Sequence, residues 1–189
     1  GTDQFWMWQD GNGLSALAVG LTMPGTDSIH TDTSGRVFFG NYSSTATDEY
    51  WTGKDGSGLS AIVSGQMNPG NQASGIDNTG RVYFGNRSGA NDVFWTWKDG
   101  NGLSGIVSGQ TMPGQDTMVI SNNRVFFGNN AGSNDVFWMW QDGSGLSGIV
   151  SGLVNPGKYS TKADSTGRIY FGNWSCLLYT SDAADDGLC

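Results

Sequence analysis

Arginine, carboxylate and indole side chains recur at regular intervals along this sequence. In one copy of the pattern, Arg81 precedes Asp92 by eleven residues, and Trp95 follows three residues later. An aromatic ring can stack on the apolar face of a sugar, while charged groups pair with its hydroxyls. The pattern therefore predicts a carbohydrate pocket in each copy. The candidate ligand-binding residues are Arg36, Arg81, Arg124, Arg168, Asp48, Asp92, Asp135, Trp6, Trp8, Trp51, Trp95, Trp97, Trp138 and Trp140.

The same residues also fit a purely structural interpretation. Tryptophans can fill the space between packed sheets, and arginines can bind the carbonyl groups of turns, whatever the protein does. The second copy offers a contrast, because Gly53 stands where the other copies have a tryptophan such as Trp97. If that tryptophan stacks on a ligand, the second copy should be the weak or empty site. In this copy either Asp48 or Glu49 could supply the carboxylate.

Catalytic combinations are scarce in the sequence. His30 is the only histidine, and the two cysteines, Cys176 and Cys189, lie near the C-terminus. The usual nucleophile and base pairs of hydrolases cannot be assembled from these residues, so we predict that the protein is not an enzyme. The Asp-Gly-Asn-Gly and Asp-Gly-Ser-Gly segments lack the further acidic ligands of a calcium loop and are predicted to be turns. No metal or cofactor is expected, and His30 is expected to have a structural or solvated role.

Four near-copies of one segment divide the chain into repeats. The first tryptophans of the copies are separated by 45, 44 and 43 residues. Self-similarity at such a period is typical of repeat architectures, in which each repeat is one structural unit. The copies are Gln4–Leu14, Glu49–Leu59, Asn91–Leu103 and Asp135–Leu146.

Each repeat contains apolar runs of strand length separated by turn signals. Alternation over Asp92–Lys98 places Trp95 and Trp97 on the same face of a strand. An Asp-x-x-Gly segment such as Asp77–Gly80 predicts a hairpin, because Asp can cap the turn and Gly accepts a positive φ. In one repeat the dipeptide Asn122-Asn123 replaces this turn. Pro-Gly pairs are expected to end a strand and direct the chain into the next unit.

These strands predict an all-β fold, a β-propeller built of four repeats of four strands each. The repeat region is predicted to span residues 1–175, with complete blades near residues 25–65, 70–109 and 114–152 and complementary half-blades at residues 3–20 and 158–173. The halves fit either a fragment of a ring of about five to seven blades or a four-bladed ring that they close by pairing. An incomplete ring would allow oligomerisation, since an open edge exposes backbone donors and acceptors.

Charge and composition exclude several partners. The formal net charge is −8, and the nine basic residues form no run, so nucleic acid is not an expected partner. No apolar run approaches the roughly 20 residues of a membrane helix, so no membrane insertion is expected. Residues 176–189 resemble a translated sequencing adapter of the kind found in metagenomic fragments, and they are predicted to be a non-native, disordered tail. Without this tail the sequence has no cysteine and no disulfide.

The order of the elements resembles that of bacterial and fungal β-propeller lectins of the fucose-binding type. The shared order is an Arg-Val-aromatic-aromatic strand, a loop, a tryptophan-rich strand that ends in Asp-Gly-x-Gly, and a Ser-Gly strand. The resemblance covers Thr2–Trp174 and implies that an arginine and an acidic residue, such as Arg81 and Asp92, hold a sugar on which a tryptophan stacks. The chain departs from the family where Trp-Asp-Gly becomes Trp-x-Asp-Gly, and where Leu103 replaces the tryptophan after the turn.

We therefore expect a multivalent, lectin-like module without catalysis, which binds glycans with fucose-like monosaccharide ends. A secreted or cell-surface location is expected for such a module. The alternative is a protein-binding or structural propeller of a surface adhesin or a phage receptor-binding protein.

Overall fold

The computed structural model describes residues 3–43, 47–54, 56–89 and 91–174, and in these ranges the chain is all-β without helix. The predicted tail at residues 176–189 lies outside the described residues. Within the described part there is no helix long and apolar enough to cross a bilayer. The strands are β1 (Asp3–Gln9), β2 (Gly13–Leu21), β3 (His30–Thr31), β4 (Val37–Gly40), β5 (Asp48–Lys54), β6 (Gly58–Gln66), β7 (Ser74–Ile76), β8 (Val82–Gly85), β9 (Asp92–Lys98), β10 (Gly102–Gln110), β11 (Val119–Ser121), β12 (Arg124–Gly128), β13 (Asp135–Gln141), β14 (Gly145–Leu153), β15 (Lys162–Ala163) and β16 (Ile169–Tyr170).

The strands form three four-stranded antiparallel sheets, flanked by two hairpins. We name them sheet I (β3–β6), sheet II (β7–β10), sheet III (β11–β14), the N-terminal hairpin (β1–β2) and the C-terminal hairpin (β15–β16). Each sheet is a meander in which consecutive strands pair, so the predicted blades and half-blades are confirmed as strand groups. The repeated pairing is consistent with successive blades of a propeller. Among the described residues the two hairpins do not pair with each other, so no closed ring is seen.

The turns inside the sheets follow the sequence prediction. The Oδ1 of Asp77 accepts hydrogen bonds from the backbone nitrogens of Thr79 and Arg81, at 2.9 and 3.0 Å, and Gly80 has a φ of +78°. Asn122 and Asn123 replace this turn with φ values of 50° and 58°, the left-handed conformation that asparagine tolerates. A tight turn therefore joins the first two strands of each sheet, and an aspartate caps it in sheets I and II.

A stacked pair of aromatic rings joins each sheet to the next. The first partner belongs to the third strand of one sheet, and the second partner follows or belongs to the second strand of the next sheet. The ring centroids are 3.9 to 4.2 Å apart and the planes are inclined by 9 to 21°. Such offset stacking adds about 0.5–1.5 kcal/mol to the burial of the rings. The pairs are Phe5–Phe39, Tyr50–Phe84, Phe94–Phe127 and Phe137–Phe171.

The Pro-Gly segments fasten the connection between sheets, as the sequence predicts. Gly70, with a φ of +82°, donates a backbone hydrogen bond of 2.7 Å to the carbonyl of Gly85 in β8. Gly85 is itself approached by the next Pro-Gly segment, because a Cβ built there would overlap the carbonyl oxygen of Pro113. The same overlap with a proline carbonyl occurs at Gly40 and Gly128. Glycine is required at the end of the second strand because the backbone of the next connection occupies the space of a side chain.

Replacing Gly85 with alanine should lower the free energy of unfolding by about 1–3 kcal/mol, because the backbone carbonyl of Pro113 leaves no room for the methyl group. Urea unfolding monitored by tryptophan fluorescence measures the change. The matched control is Gly105→Ala in β10, where the nearest atom to the new Cβ lies 3.6 Å away, on Val93. The control should be neutral or stabilising by up to about 1 kcal/mol. Equal losses in both variants would contradict the role of the close approach.

Candidate functional site

A cavity of about 320 Å³ opens between sheets I and II, and it contains the residue types that the sequence analysis associates with sugar binding. The chain brings two cationic side chains, one aromatic and one acidic side chain to its wall, together with several hydroxyl groups. Two glycines, Gly53 and Gly58, contribute only backbone atoms to the wall. The lining residues are Arg36, Thr52, Gly53, Lys54, Ser57, Gly58, Ser60, Trp97 and Asp99.

Arg36 is held in the cavity wall by carboxylates from both sheets. Its Nε donates to Asp32 at 2.7 Å, and its Nη1 donates to Asp99 in sheet II at 3.0 Å. The guanidinium also lies over the ring of Trp97, 5.6 Å from the centroid, in cation–π geometry. Burial raises the pKa of Asp32, but hydrogen bonds from Arg36 and Ser34 outweigh it and lower the pKa to about 2. Arg36 and Asp32 are therefore a fixed ion pair at neutral pH.

Secondary structure explains why these side chains converge. Arg36 directly follows the Asp-capped turn and precedes β4, so its direction is set by the hairpin. Trp97 lies on the face of β9 that packs against sheet I, where it contacts Phe38 at a centroid distance of 5.7 Å. Asp99 lies in the turn between β9 and β10 and keeps 76% of its side chain exposed. The cavity thus has a rigid cation and ring, and a carboxylate that solvent can reach.

The same three residue types meet again between sheets II and III. The guanidinium of Arg81 lies 5.3 Å from the ring centroid of Trp140 and forms an ion pair with Asp142. Its Nη1 also donates to the hydroxyl of Thr96 at 3.4 Å. Arg81 is almost completely buried, whereas the carboxylate of Asp142 is largely exposed. The arrangement is therefore a property of the joint between consecutive sheets rather than of one repeat.

The structure does not bring Arg81 and Asp92 together, although the sequence analysis expects them to hold one ligand. Asp92 is 0% exposed and accepts hydrogen bonds from the amide of Asn86 at 3.0 Å and from the backbone nitrogen of Met112 at 3.0 Å. It also accepts from the backbone nitrogen of Gly89 at 3.2 Å. These donors fasten the loop before β9 and the connection after β10 to the start of β9. Asp48 and Asp135 are equally buried and accept equivalent bonds.

The candidate tryptophans fall into two groups. Trp51, Trp95 and Trp138 are half-buried, and their indole nitrogens are buried without a hydrogen-bond partner among the described residues. Trp97 and Trp140 lie under the arginines at the two joints. These positions support both interpretations of the sequence, since the second group packs between sheets and also borders the arginine sites.

The remaining candidates lie at the ends of the array. Trp6 and Trp8 of the N-terminal hairpin are 51% and 68% exposed. Arg124 lies over the ring of Phe126 in its own strand, 5.8 Å from the centroid. The backbone nitrogen of Arg168 donates to Asp164 at 2.9 Å, and its side chain is exposed. None of these four residues is placed at a joint between two complete sheets.

Sequence reasoning missed the acidic residue of the cavity. Asp99 belongs to the Asp-Gly-x-Gly segment, whose hairpin geometry is confirmed by φ values of +77° and +76° at Gly100 and Gly102. Assigning this segment to a turn left its carboxylate without a function. The available signal was that both this segment and an arginine recur in every repeat. The pairing was not visible, however, because Arg36 and Asp99 are 63 positions apart in the sequence.

Comparisons with known proteins define no family for this chain. No protein-family model matches it, and no curated protein matches it. One similar solved structure is a crystal structure of a puromycin hydrolase mutant in complex with PGG. The TM-score is 0.30 at 10% sequence identity, over 85% of this chain and 35% of that chain, so this chain spans about a third of that protein. A TM-score this low does not define an activity.

The dipeptide Asp48-Glu49 provides a test of the buried carboxylate. Asp48→Asn should lower the free energy of unfolding by about 1–3 kcal/mol, because the backbone donors of Ser43 and Asn68 lose a charged acceptor. Glu49→Gln is the control, since the hydrogen bonds of Glu49 to Asn41 use its backbone. Thermal unfolding measures both variants. If Glu49→Gln lowered the stability as much as Asp48→Asn, burial of the Asp48 carboxylate would not explain the loss.

His30 forms a side-chain contact between sheets I and II. Its Nε2 lies 2.9 Å from the hydroxyl of Ser74 in sheet II. Burial lowers the pKa of His30 below its ordinary value of 6.5, and hydrogen bonding to Ser74 offsets only part of this effect. The neutral imidazole therefore connects sheets I and II.

Replacing His30 with glutamine should flatten the pH dependence of stability. Because the pKa of His30 is lower in the folded state, the unfolded chain binds the proton more tightly. The contribution of His30 is thus complete above about pH 6.5 and is lost as the pH falls through that value towards the folded-state pKa. Urea unfolding at about pH 8 and about pH 5 measures the slope. A variant whose stability decreases with falling pH as steeply as the wild type would contradict this assignment.

Proposed function

We propose that the protein is a multivalent carbohydrate-binding module without catalysis, in which consecutive blades of a propeller-like array form the sugar sites between them. The observation that supports this proposal is the convergence of Arg36, Trp97 and Asp99 on one cavity, with hydroxyl side chains beside them. The volume of this cavity, about 320 Å³, lies at the lower end of the range of about 300–1,000 Å³ typical of ligand pockets. A monosaccharide end of a glycan suits this size.

Each group in the cavity has a distinct task in this proposal. The exposed carboxylate of Asp99 accepts hydrogen bonds from two neighbouring sugar hydroxyls, and Arg36 keeps the carboxylate in place. Lys54 and the hydroxyl of Ser57 donate to the remaining sugar oxygens. The edge of Trp97 borders the apolar face of the sugar. Asp92, which the sequence analysis assigned to the ligand, would act indirectly by fixing the start of β9.

Repetition explains how weak sites would give useful affinity. The Arg81–Trp140–Asp142 group repeats the chemistry at the next joint. Two or more sites on one rigid array bind a branched or clustered glycan with an avidity that can exceed single-site affinity by about 10²–10⁴. Such a module fits a secreted or cell-surface protein, where glycans are displayed.

The test is a glycan array, followed by calorimetry of the best ligand with competition by free monosaccharide. Asp99→Asn should weaken binding at least tenfold, or about 1.4 kcal/mol, because the amide replaces a charged acceptor by a weaker one. Lys54→Ala should also weaken it.

The control is Lys162→Ala, which removes a cation from the C-terminal hairpin and should leave binding unchanged. If no monosaccharide competes at about millimolar concentration, or if Asp99→Asn binds like the wild type, the carbohydrate proposal is wrong. That result would favour a protein-binding or structural propeller of an adhesin or a phage receptor-binding protein.

A further inference from the structure

The two ends of the array carry complementary halves of one sheet. The N-terminal hairpin supplies the equivalents of a third and a fourth strand, and the C-terminal hairpin supplies a first and a second strand. We propose that the C-terminal hairpin of one copy pairs with β1 of a second copy of this chain, so that the two hairpins complete a four-stranded sheet. This inference does not depend on sugar binding.

The strand pairing in the complete sheets fixes the register of the shared sheet. Val82 pairs with Trp97, and in sheet III Val125 pairs with Trp140. The segment around β16 reads Arg-Ile-Tyr-Phe-Gly at positions 168–172, which matches the Arg-Val-Tyr-Phe-Gly of positions 81–85. Transfer of this register pairs Ile169 with Trp8 of the second copy. The pairing would also cover an indole that is 68% exposed in the single chain.

Charge complementarity supports the same joint. In the complete joints each arginine reaches forward to a tryptophan and an aspartate of the next sheet, as Arg81 does to Trp140 and Asp142. Arg124 of sheet III occupies the equivalent position, but its guanidinium lies over the ring of Phe126 in its own strand. The shared sheet would present Trp8 and Asp10 of the second copy to Arg124.

The buried-carboxylate motif is incomplete at the same edge. Asp92 accepts from the amide of Asn86 and from the residue before the proline, Met112. The equivalent Asp3 accepts from the backbone nitrogen of Met23 at 2.9 Å but is itself exposed. Asn173 follows Gly172 as Asn86 follows Gly85, so the shared sheet would bring its amide to Asp3 of the second copy.

A cavity beside the N-terminal hairpin fits a side chain of the other copy. It has a volume of about 210 Å³ and is lined by Trp6, Val37 and Gly53, among others. At the complete joints an aromatic residue of the second strand faces a tryptophan, as Tyr83 faces Trp140 at 5.7 Å. Gly53 leaves that place open in the second copy, and Tyr170 of the first copy, which corresponds to Tyr83 and is 54% exposed, would face it.

The association is head to tail, because the two surfaces differ. Each added copy covers one β1 edge and leaves another β1 edge open, so the contact generates either a closed ring of copies or a growing chain. The unpaired backbone groups along β1 provide the main hydrogen bonds, as in other cases of strand addition to an open sheet edge.

Disulfide trapping tests the register and the occupant together. In a Cys176→Ser, Cys189→Ser background, Met7→Cys and Tyr170→Cys are made as separate proteins, because the register pairs these two positions as Phe126 pairs with Met139. We expect oxidation of the mixture to give a covalent dimer that contains one copy of each variant. Sedimentation of the wild-type chain over a hundredfold concentration range should show a mass that rises above that of the monomer.

The register control is a mixture of Met7→Cys with Ile169→Cys, whose side chains would lie on opposite faces and should cross-link at least tenfold more slowly. Equal cross-linking in both mixtures would contradict the register. A second protein carries Met7→Cys and Tyr170→Cys in one chain. If it forms a disulfide-linked monomer at high dilution while the mixture forms no dimer, the chain closes on itself and the proposal is wrong. A wild-type chain that remains monomeric at all concentrations would also overturn it.

Discussion

The stacked aromatic pair between consecutive sheets is the interaction on which the rest of the structure depends. Its centroid distance of 3.9 to 4.2 Å requires the sheets to approach closely, and a glycine such as Gly85 makes this approach sterically possible. The same approach brings Arg36 within reach of Trp97 and Asp99. The packing of the sheets and the geometry of the candidate ligand site therefore both depend on the distance between consecutive sheets. A change in this distance would alter both.

The acidic residues of the repeat divide according to burial. Asp48, Asp92 and Asp135 are enclosed carboxylates, each compensated by several donors from loops on either side. A buried charge is costly unless its hydrogen bonds are complete, so these networks specify one arrangement of loops around each third strand. The carboxylates of Asp99 and Asp142 lie in turns and stay open to solvent. The acidic residues that can contact a ligand are therefore the exposed ones, which do not hold the loops around the third strand.

Local features could be predicted from the sequence, whereas contacts between repeats could not. The turn at Asp77–Gly80 was predictable because its cap and its positive φ depend on four consecutive residues. The pairing of Arg81 with Asp142 was not, because periodic spacing places an aspartate at the same phase in every repeat. Only the packing of the sheets decides which repeat supplies the partner. The departure at Gly53 was visible in the sequence, and in the structure Gly53 lines a cavity beside the N-terminal hairpin.

The connections between sheets also carry a directional backbone ladder. The nitrogen of Gln72 donates to the carbonyl of Asp27, that of Asp116 to Gln72, and that of Tyr159 to Asp116, at 2.8 to 3.1 Å. All four residues have φ values between 49° and 55°, although they include aspartate, glutamine and tyrosine side chains. Because this ladder is made of main-chain atoms, it requires no matching side chains at these four positions. Gene duplication could therefore lengthen this array by whole units without first evolving a new interface.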